Sequence, residues 1–146
     1  MKFRARIFRI GIILVILAVI AYFLYTSNSY TYRAGKILED TGIKGGLVVH
    51  AGALNGKLAA ALHTNERYIV HGLIPDQASL KAARNYIRDK GIYGNVALEH
   101  WNGNTLPYSD QMVNLLVVEE SAAENIPKKE MMRVLIPNGV AYVKNE

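Results

Sequence analysis

The chain has 146 residues and no cysteine; 51% of its residues are hydrophobic, 20% are charged, and its formal charge is +5. That length supports one domain with a buried core, the composition is globular rather than disordered, and the lack of cysteine removes thiolate metal sites, cysteine nucleophiles and disulfides. Lys2, Arg4, Arg6 and Arg9 carry four of the five net charges, so no broad basic surface remains to track the phosphates of a nucleic acid.

The cation cluster runs into IGIILVILAVIAYFLY, residues 10–25, which has no charge. As a helix this segment is roughly 24 Å long, slightly short of a ~30 Å hydrocarbon core. Ile7 and Phe8 can extend it while Arg9 snorkels, and Tyr22 and Tyr25 suit an interfacial belt. Two readings stand: an uncleaved membrane anchor with its positive end cytoplasmic, or a signal peptide cleaved near SNS at 27–29. The expected organisation is a basic and apolar leader over 1–29 and one domain over 30–146, membrane-anchored or exported, on the outer, periplasmic side. A polar linker over 26–32 (TSNSYTY) and a short helix over 33–40, ended by Thr41-Gly42, lead into the domain.

From Gly45 the pattern alternates between apolar β-branched runs and amphipathic stretches. Strands are expected at 46–50, 67–73, 95–100 and 113–120, and helices at 56–63, 76–91 and 127–136. PNGVAYVK at 137–144 reads as a turn and a last strand. In the 76–91 helix, Leu80, Ala83 and Ile87 share a face, Asp76 caps the start and Gly91 the end. The fold class is therefore α/β: a Rossmann-like, doubly wound parallel sheet of about five strands with right-handed crossovers. Ligands of such sheets bind beyond the carboxyl ends of the strands, so the residues just after each strand carry the functional information.

After the first strand comes HAGALNG, 50–56. Gly52 and Gly56 allow a tight turn and a close backbone approach, and the next helix offers N–H groups to an anion. A P-loop is excluded, because three residues separate these glycines and Lys57 is followed by Leu58. The G-x-G-x-x-G dinucleotide pattern is broken by Leu54 and Leu58, which leaves a nicotinamide-dependent oxidoreductase without its fingerprint. A plain strand-to-helix turn stays open as the alternative. After the second strand, Ile74 stands where a ribose-binding acid is usual, and Asp76 is either a helix cap or a substitute ligand. After the third, Trp101 can stack on an adenine or pack beneath a turn at Asn102-Gly103. After the fourth, Glu119 faces the pocket mouth, whereas Glu120 reads as a solvated strand end. His50 and His71 end neighbouring strands but have no evident third metal ligand, so no zinc site is expected.

The stretches GLVVHAGALNGKLAAAL, YIVHGLIPDQASLKAARNYI, VALEHWNGNTLPYSDQMVNLLVVEE and EMMRVLIPNGVAYVK together resemble a class I S-adenosylmethionine-dependent methyltransferase domain over roughly residues 34–144. More narrowly, the chain resembles the methyltransferase-like domain that precedes PQQ-type β-propeller repeats in some exported bacterial proteins. The resemblance implies S-adenosylmethionine as cofactor and methyl transfer to an unidentified acceptor. It places Gly52, Leu54, Asn55 and Gly56 at the methionine end, Asp76 near the ribose, Trp101 and Asn102 at the adenine, and Glu119 nearest the transferred methyl. Family members commonly add two more strands after the fifth, and the narrower resemblance implies a β-propeller domain or protein downstream as a partner. The sequence departs from the family pattern at Leu54, where the middle glycine is usual, at Ile74, where the ribose acid is usual, and at Asn102, where an acid is usual. Those departures keep a second reading beside catalysis: a degenerate, non-catalytic methyltransferase fold serving as a membrane-tethered binding or assembly module.

Overall fold

The computed structural model describes the backbone of residues 2–144; the side chains of residues 2–11, 23 and 26–28 lie outside the described residues. In chain order the elements are α1 (Lys2–Thr41), β1 (Gly46–Ala51), α2 (Lys57–Leu62), β2 (Tyr68–Ile74), α3 (Gln77–Asp89), β3 (Val96–His100), β4 (Val113–Val118), α4 (Glu120–Ala123), α5 (Lys128–Val134) and β5 (Leu135–Val143). The five strands form one parallel sheet in the order β3-β2-β1-β4-β5. The strand order reverses at β1 and β4, so the crevice of a doubly wound sheet opens there.

Both faces of the sheet are apolar, as expected where helices cover each side. Val48, Val70, Leu115 and Val117 pack against Ala34 and Ile37 of α1, Leu62 of α2 and Ile87 of α3. On the opposite face Val49, Leu73 and Leu116 meet Trp101, Leu106, Ile126 and Met131. Asp76 caps α3 as expected, accepting from the Ala78 and Ser79 amides, and Gly91 follows the helix with φ 69°.

The first helix differs most from expectation. The linker over 26–32 and the short helix over 33–40 are parts of one unbroken helix, α1. TSNSYTY contains no glycine or proline to stop it, and Tyr30, Ala34, Ile37 and Thr41 form a stripe at helical spacing. Ala34 and Ile37 are fully buried, and Tyr30 packs against the same core. The α1–β1 connection spans only Gly42 to Gly45, so α1 ends at the amino edge of the sheet, where the Tyr68 hydroxyl donates to the Ile43 carbonyl. α1 thus runs antiparallel to the strands, and its N-terminal part projects past their carboxyl ends.

The anchor expectation falls on this projection. Large apolar side chains from Ile12 to Tyr25 are exposed, but Ile10, Gly11 and Phe23, like the four leading cations, lie outside the described side chains. Among the described residues, no helix is long and apolar enough to cross a membrane.

Two smaller differences concern the C-terminal third. The residues after Glu119 form α4 rather than a strand end. The helix expected to reach Ile136 gives way to β5 at Leu135, which pairs with Val113; pairing shifts and resumes at Val140 with Leu115. Pro137 and Asn138 (φ 65°) occupy the excursion between these pairs, which an edge strand tolerates because it loses no essential ladder bond.

Candidate functional site

The loop after β1 turns through Gly52 and Gly56, at φ 83° and 71°. A Cβ on Gly52 would lie 2.9 Å from the Ala122 Cβ, and one on Gly56 would lie 2.8 Å from Leu98 Cδ1. The glycines therefore let the loop press against α4 and β3. Asn55 uses its Oδ1 to accept from the Lys57 amide and its Nδ2 to donate to the Tyr30 hydroxyl. One N–H at the start of α2 is thereby already satisfied. Leu54 is 66% exposed at the loop tip.

Beside this loop two side chains, Arg33 and His50, converge on Glu119. Arg33 Nη2 lies 2.9 Å from its Oε1 and 3.0 Å from its Oε2, and His50 Nε2 lies 2.8 Å from Oε1. Burial pushes the Glu119 carboxyl up, but hydrogen bonds from His50 and Arg33 and their charges outweigh it and hold the group at about 2. Glu119 is therefore an ionised acceptor, toward which Arg33 Nη2 and His50 Nε2 both donate. His50 is 3% exposed, and its Nδ1 is buried with no hydrogen-bond partner among the described residues. The arrangement is a charge cluster set in an otherwise apolar end of the sheet.

A cleft of about 190 Å³ opens over this cluster, lined by Tyr30, Arg33, Leu54, Asn55, Glu119 and Lys144 among others. Cavities that enclose a whole drug-sized ligand span roughly 300–1,000 Å³. The cleft thus holds a fragment the size of an amino acid, with a guanidinium and a carboxylate in its walls.

Four of the expected site residues, Gly52, Leu54, Asn55 and Glu119, line this cleft; Gly56, Asp76, Trp101 and Asn102 do not. Ile74, expected from the sequence to stand at the ribose position, is fully buried in the core. The carboxylate of Asp76 is engaged by the Ala78 and Ser79 amides at 3.0 and 3.1 Å, and the Ala78 bond above all lowers its pKa. Trp101 is 6% exposed, its ring lies in the second core layer, and its indole N–H donates to the Thr105 carbonyl at 2.7 Å. This burial and this hydrogen bond match the packing reading of Trp101. Asn102 is exposed.

His50 and His71 do not meet. His50 pairs in register with Gly72, so His71, one residue earlier, points to the opposite face of the sheet. There the Tyr108 hydroxyl and His71 Nδ1 share a hydrogen bond of 2.6 Å, and His71 Nε2 lies 3.5 Å from Glu99. Burial lowers the His71 pKa against the pull of Glu99, and burial raises that of Tyr108.

Arg33, Tyr30 and Lys144 are cleft residues that the sequence pattern did not single out. Arg33 and Glu119 are 86 positions apart, and no local spacing links them. The one usable signal was the Tyr30-Ala34-Ile37 stripe, which carries α1 across the sheet edge.

The geometry has solved counterparts. A protein of Methanococcus maripaludis described as an S-adenosylmethionine-dependent methyltransferase superposes with TM-score 0.69 at 21% identity, over 78% of this chain and 54% of its own. The geranyl diphosphate C-methyltransferase of Streptomyces coelicolor, solved with geranyl diphosphate and S-adenosylhomocysteine, gives 0.67 at 19%, over 77% of this chain and 44% of its own. The fold is that of the S-adenosylmethionine-dependent methyltransferases. In sequence, the ubiquinone/menaquinone biosynthesis C-methyltransferase UbiE of Photorhabdus laumondii is 35% identical over 69 residues, which is 44% of this chain and 27% of that enzyme. The chain therefore matches a little over a quarter of that relative. No protein-family model matches it.

Proposed function

We propose that the chain binds S-adenosylmethionine at the carboxyl ends of β1 and β4 and serves methyl transfer to an acceptor. One observation carries this reading: the amino-acid-sized cleft has Arg33 and Glu119 in its walls beside the Gly52–Asn55 turn. A guanidinium and a carboxylate set side by side complement a zwitterionic α-amino acid group, such as the methionine end of the cofactor. Arg33 would take its carboxylate, and Glu119, ionised down to about pH 2, its ammonium. Asn55 and the loop backbone would hold the chain between them.

The nucleoside end fits less well. Buried Ile74 has no acceptor for ribose hydroxyls, and Asp76 is committed to its helix cap. A missing charged hydrogen bond forfeits about 1.5–3 kcal/mol, or one to two powers of ten in affinity. Bound, the cofactor supplies an electrophilic methyl group; the protein's part is to fix its direction, which needs few side chains. Residues 10–25 would seat the chain in a bilayer with the domain on the outer side, in the exported setting that the propeller-associated resemblance implies.

The test is calorimetric titration of the full chain, in detergent micelles, with S-adenosylhomocysteine. Heat at millimolar ligand that falls roughly tenfold in affinity on Arg33→Ala supports the reading. Absence of heat sinks it. That outcome favours the non-catalytic module, for which the buried Ile74 and the ion pair already closed between Arg33 and Glu119 speak.

A further inference from the structure

We infer that the carboxyl edge of the sheet, with its cleft, faces the bilayer, and that the acceptor is a bilayer-borne molecule whose reacting group lies at headgroup depth. The acceptor half rests on the methyltransferase reading above; the orientation half does not. The argument starts from the direction of α1. Its C-terminal end is tied to the amino edge of the sheet by the short connection to β1 and the Tyr68–Ile43 hydrogen bond, and Tyr30 and Arg33 reach the carboxyl edge. The helix is unbroken, so the uncharged stretch leaves the domain on the side where the cleft opens.

The occupant of that stretch follows from its surface. Ile12, Leu14, Val15, Val19 and Leu24 are 46%, 62%, 64%, 61% and 63% exposed, and positions this closely spaced cover every side of a helix. A groove in a partner protein covers one face of a helix and leaves a polar one to water. A helix apolar on all sides is solvated by lipid, and the cations before it and the tyrosines at its end suit the two interfaces.

Helix rise then sets the depth of the cleft. Tyr25 to Tyr30 is roughly 7.5 Å along the axis, and Tyr25 to Arg33 roughly 12 Å. The headgroup layer is roughly 5–8 Å thick on each side. The loop bonded to Tyr30 through Asn55 thus lies at the headgroup boundary, with exposed Leu54 at its tip. The amino edge of the sheet is about a strand length, roughly 23 Å, farther out. A water-soluble acceptor would approach the cleft through this narrow layer, whereas a lipid-borne one arrives by lateral diffusion at the right depth.

The absence of cysteine makes the test direct. The full chain with Leu54→Cys or Asn65→Cys, each carrying an environment-sensitive fluorophore, is reconstituted in phosphatidylcholine/phosphatidylglycerol vesicles with headgroup spin labels. Quenching at position 54 roughly threefold or more above that at position 65 is expected from the ~20 Å difference in depth. Equal quenching, stronger quenching at 65, or failure to partition into the vesicles overturns the orientation. In a second arm the unlabelled chain is incubated with tritiated-methyl S-adenosylmethionine and membrane vesicles of the expressing bacterium. Tritium in the organic extract supports the acceptor class. Tritium confined to the aqueous or protein fraction, or none transferred although S-adenosylhomocysteine gives heat, overturns it. Loss of both the heat and the transfer overturns the methyltransferase reading, and the acceptor with it, while the quenching pattern still decides the orientation.

Discussion

The two halves of the sheet's carboxyl edge have opposite character. Over β1 and β4 the edge is charged and open: Arg33, Glu119 and His50 meet beneath a cleft. Over β2 and β3 it is filled from within, by Ile74 buried in one core layer and Trp101 in the other, while Asp76 is tied to the start of α3. The loop after β1 turns through Gly52 and Gly56 at positive φ, whereas Pro75 and Asp76 lead β2 straight into α3, so the two halves differ in backbone as well as in side chains. An aliphatic residue at the end of β2 adds to the core, whereas the carboxylate just after β4 lines the cleft.

The largest expected effect probes the filled half. Ile74→Asp places a carboxylate at a fully buried position with no partner and costs about 3 kcal/mol or more, read from urea unfolding. A cost under about 1 kcal/mol would show that this position reaches solvent and would break the contrast. Combined with Leu54→Gly, the variant should show a larger S-adenosylhomocysteine-induced rise in midpoint than the parent, because ligand hydroxyls then satisfy the acid.

Next comes the open half. Glu119→Gln removes the charge shared by Arg33 and His50 and costs about 2 kcal/mol at neutral pH. The pH dependence follows from the sign of the shift. Glu119 titrates at about 2 in the fold against 4.5 ordinarily, so the unfolded chain takes up the proton first as pH falls. Its contribution is complete above about pH 4.5 and is lost on the way to pH 2. Denaturation measured across that range should be flatter in Glu119→Gln than in the parent.

Trp101→Phe should cost about 1 kcal/mol through the lost bond to the Thr105 carbonyl and leave the S-adenosylhomocysteine heat unchanged. A fall in that heat would return Trp101 to the binding half. The smallest effect is a gain: Gly35 lies inside α1, and an added Cβ would meet nothing within 4 Å. Gly35→Ala should therefore raise stability by about 0.5–1 kcal/mol, with Arg33 still seated on Glu119.

Much of the fold could be read from local pattern. The β-branched runs gave all five strands, the stripe of Leu80, Ala83 and Ile87 gave α3, and Asp76 gave its cap. What local pattern could not supply was pairing across long distances. The bond from Arg33 to Glu119 and the switch of Leu135 from helix to sheet edge depend on neighbours that only the folded chain brings together. The polar run at 26–32 misled for a related reason: polarity alone does not end a helix whose next turns are anchored in a core. At the candidate site, the glycine turn was legible because turns need particular residues. Trp101 was ambiguous because stacking and packing ask for the same ring.

The unbroken course of α1 from Lys2 to Thr41 has a geometric consequence for any change in its length. A helix behaves as a screw: each added residue advances the domain by ~1.5 Å and turns it by ~100°. One residue inserted near Ser29 would swing Arg33 and the cleft mouth sideways while hardly changing their distance from the uncharged stretch. Seven residues would restore the original heading almost completely at a new height. The phase of this shaft, more than its length, sets the direction in which the cleft looks.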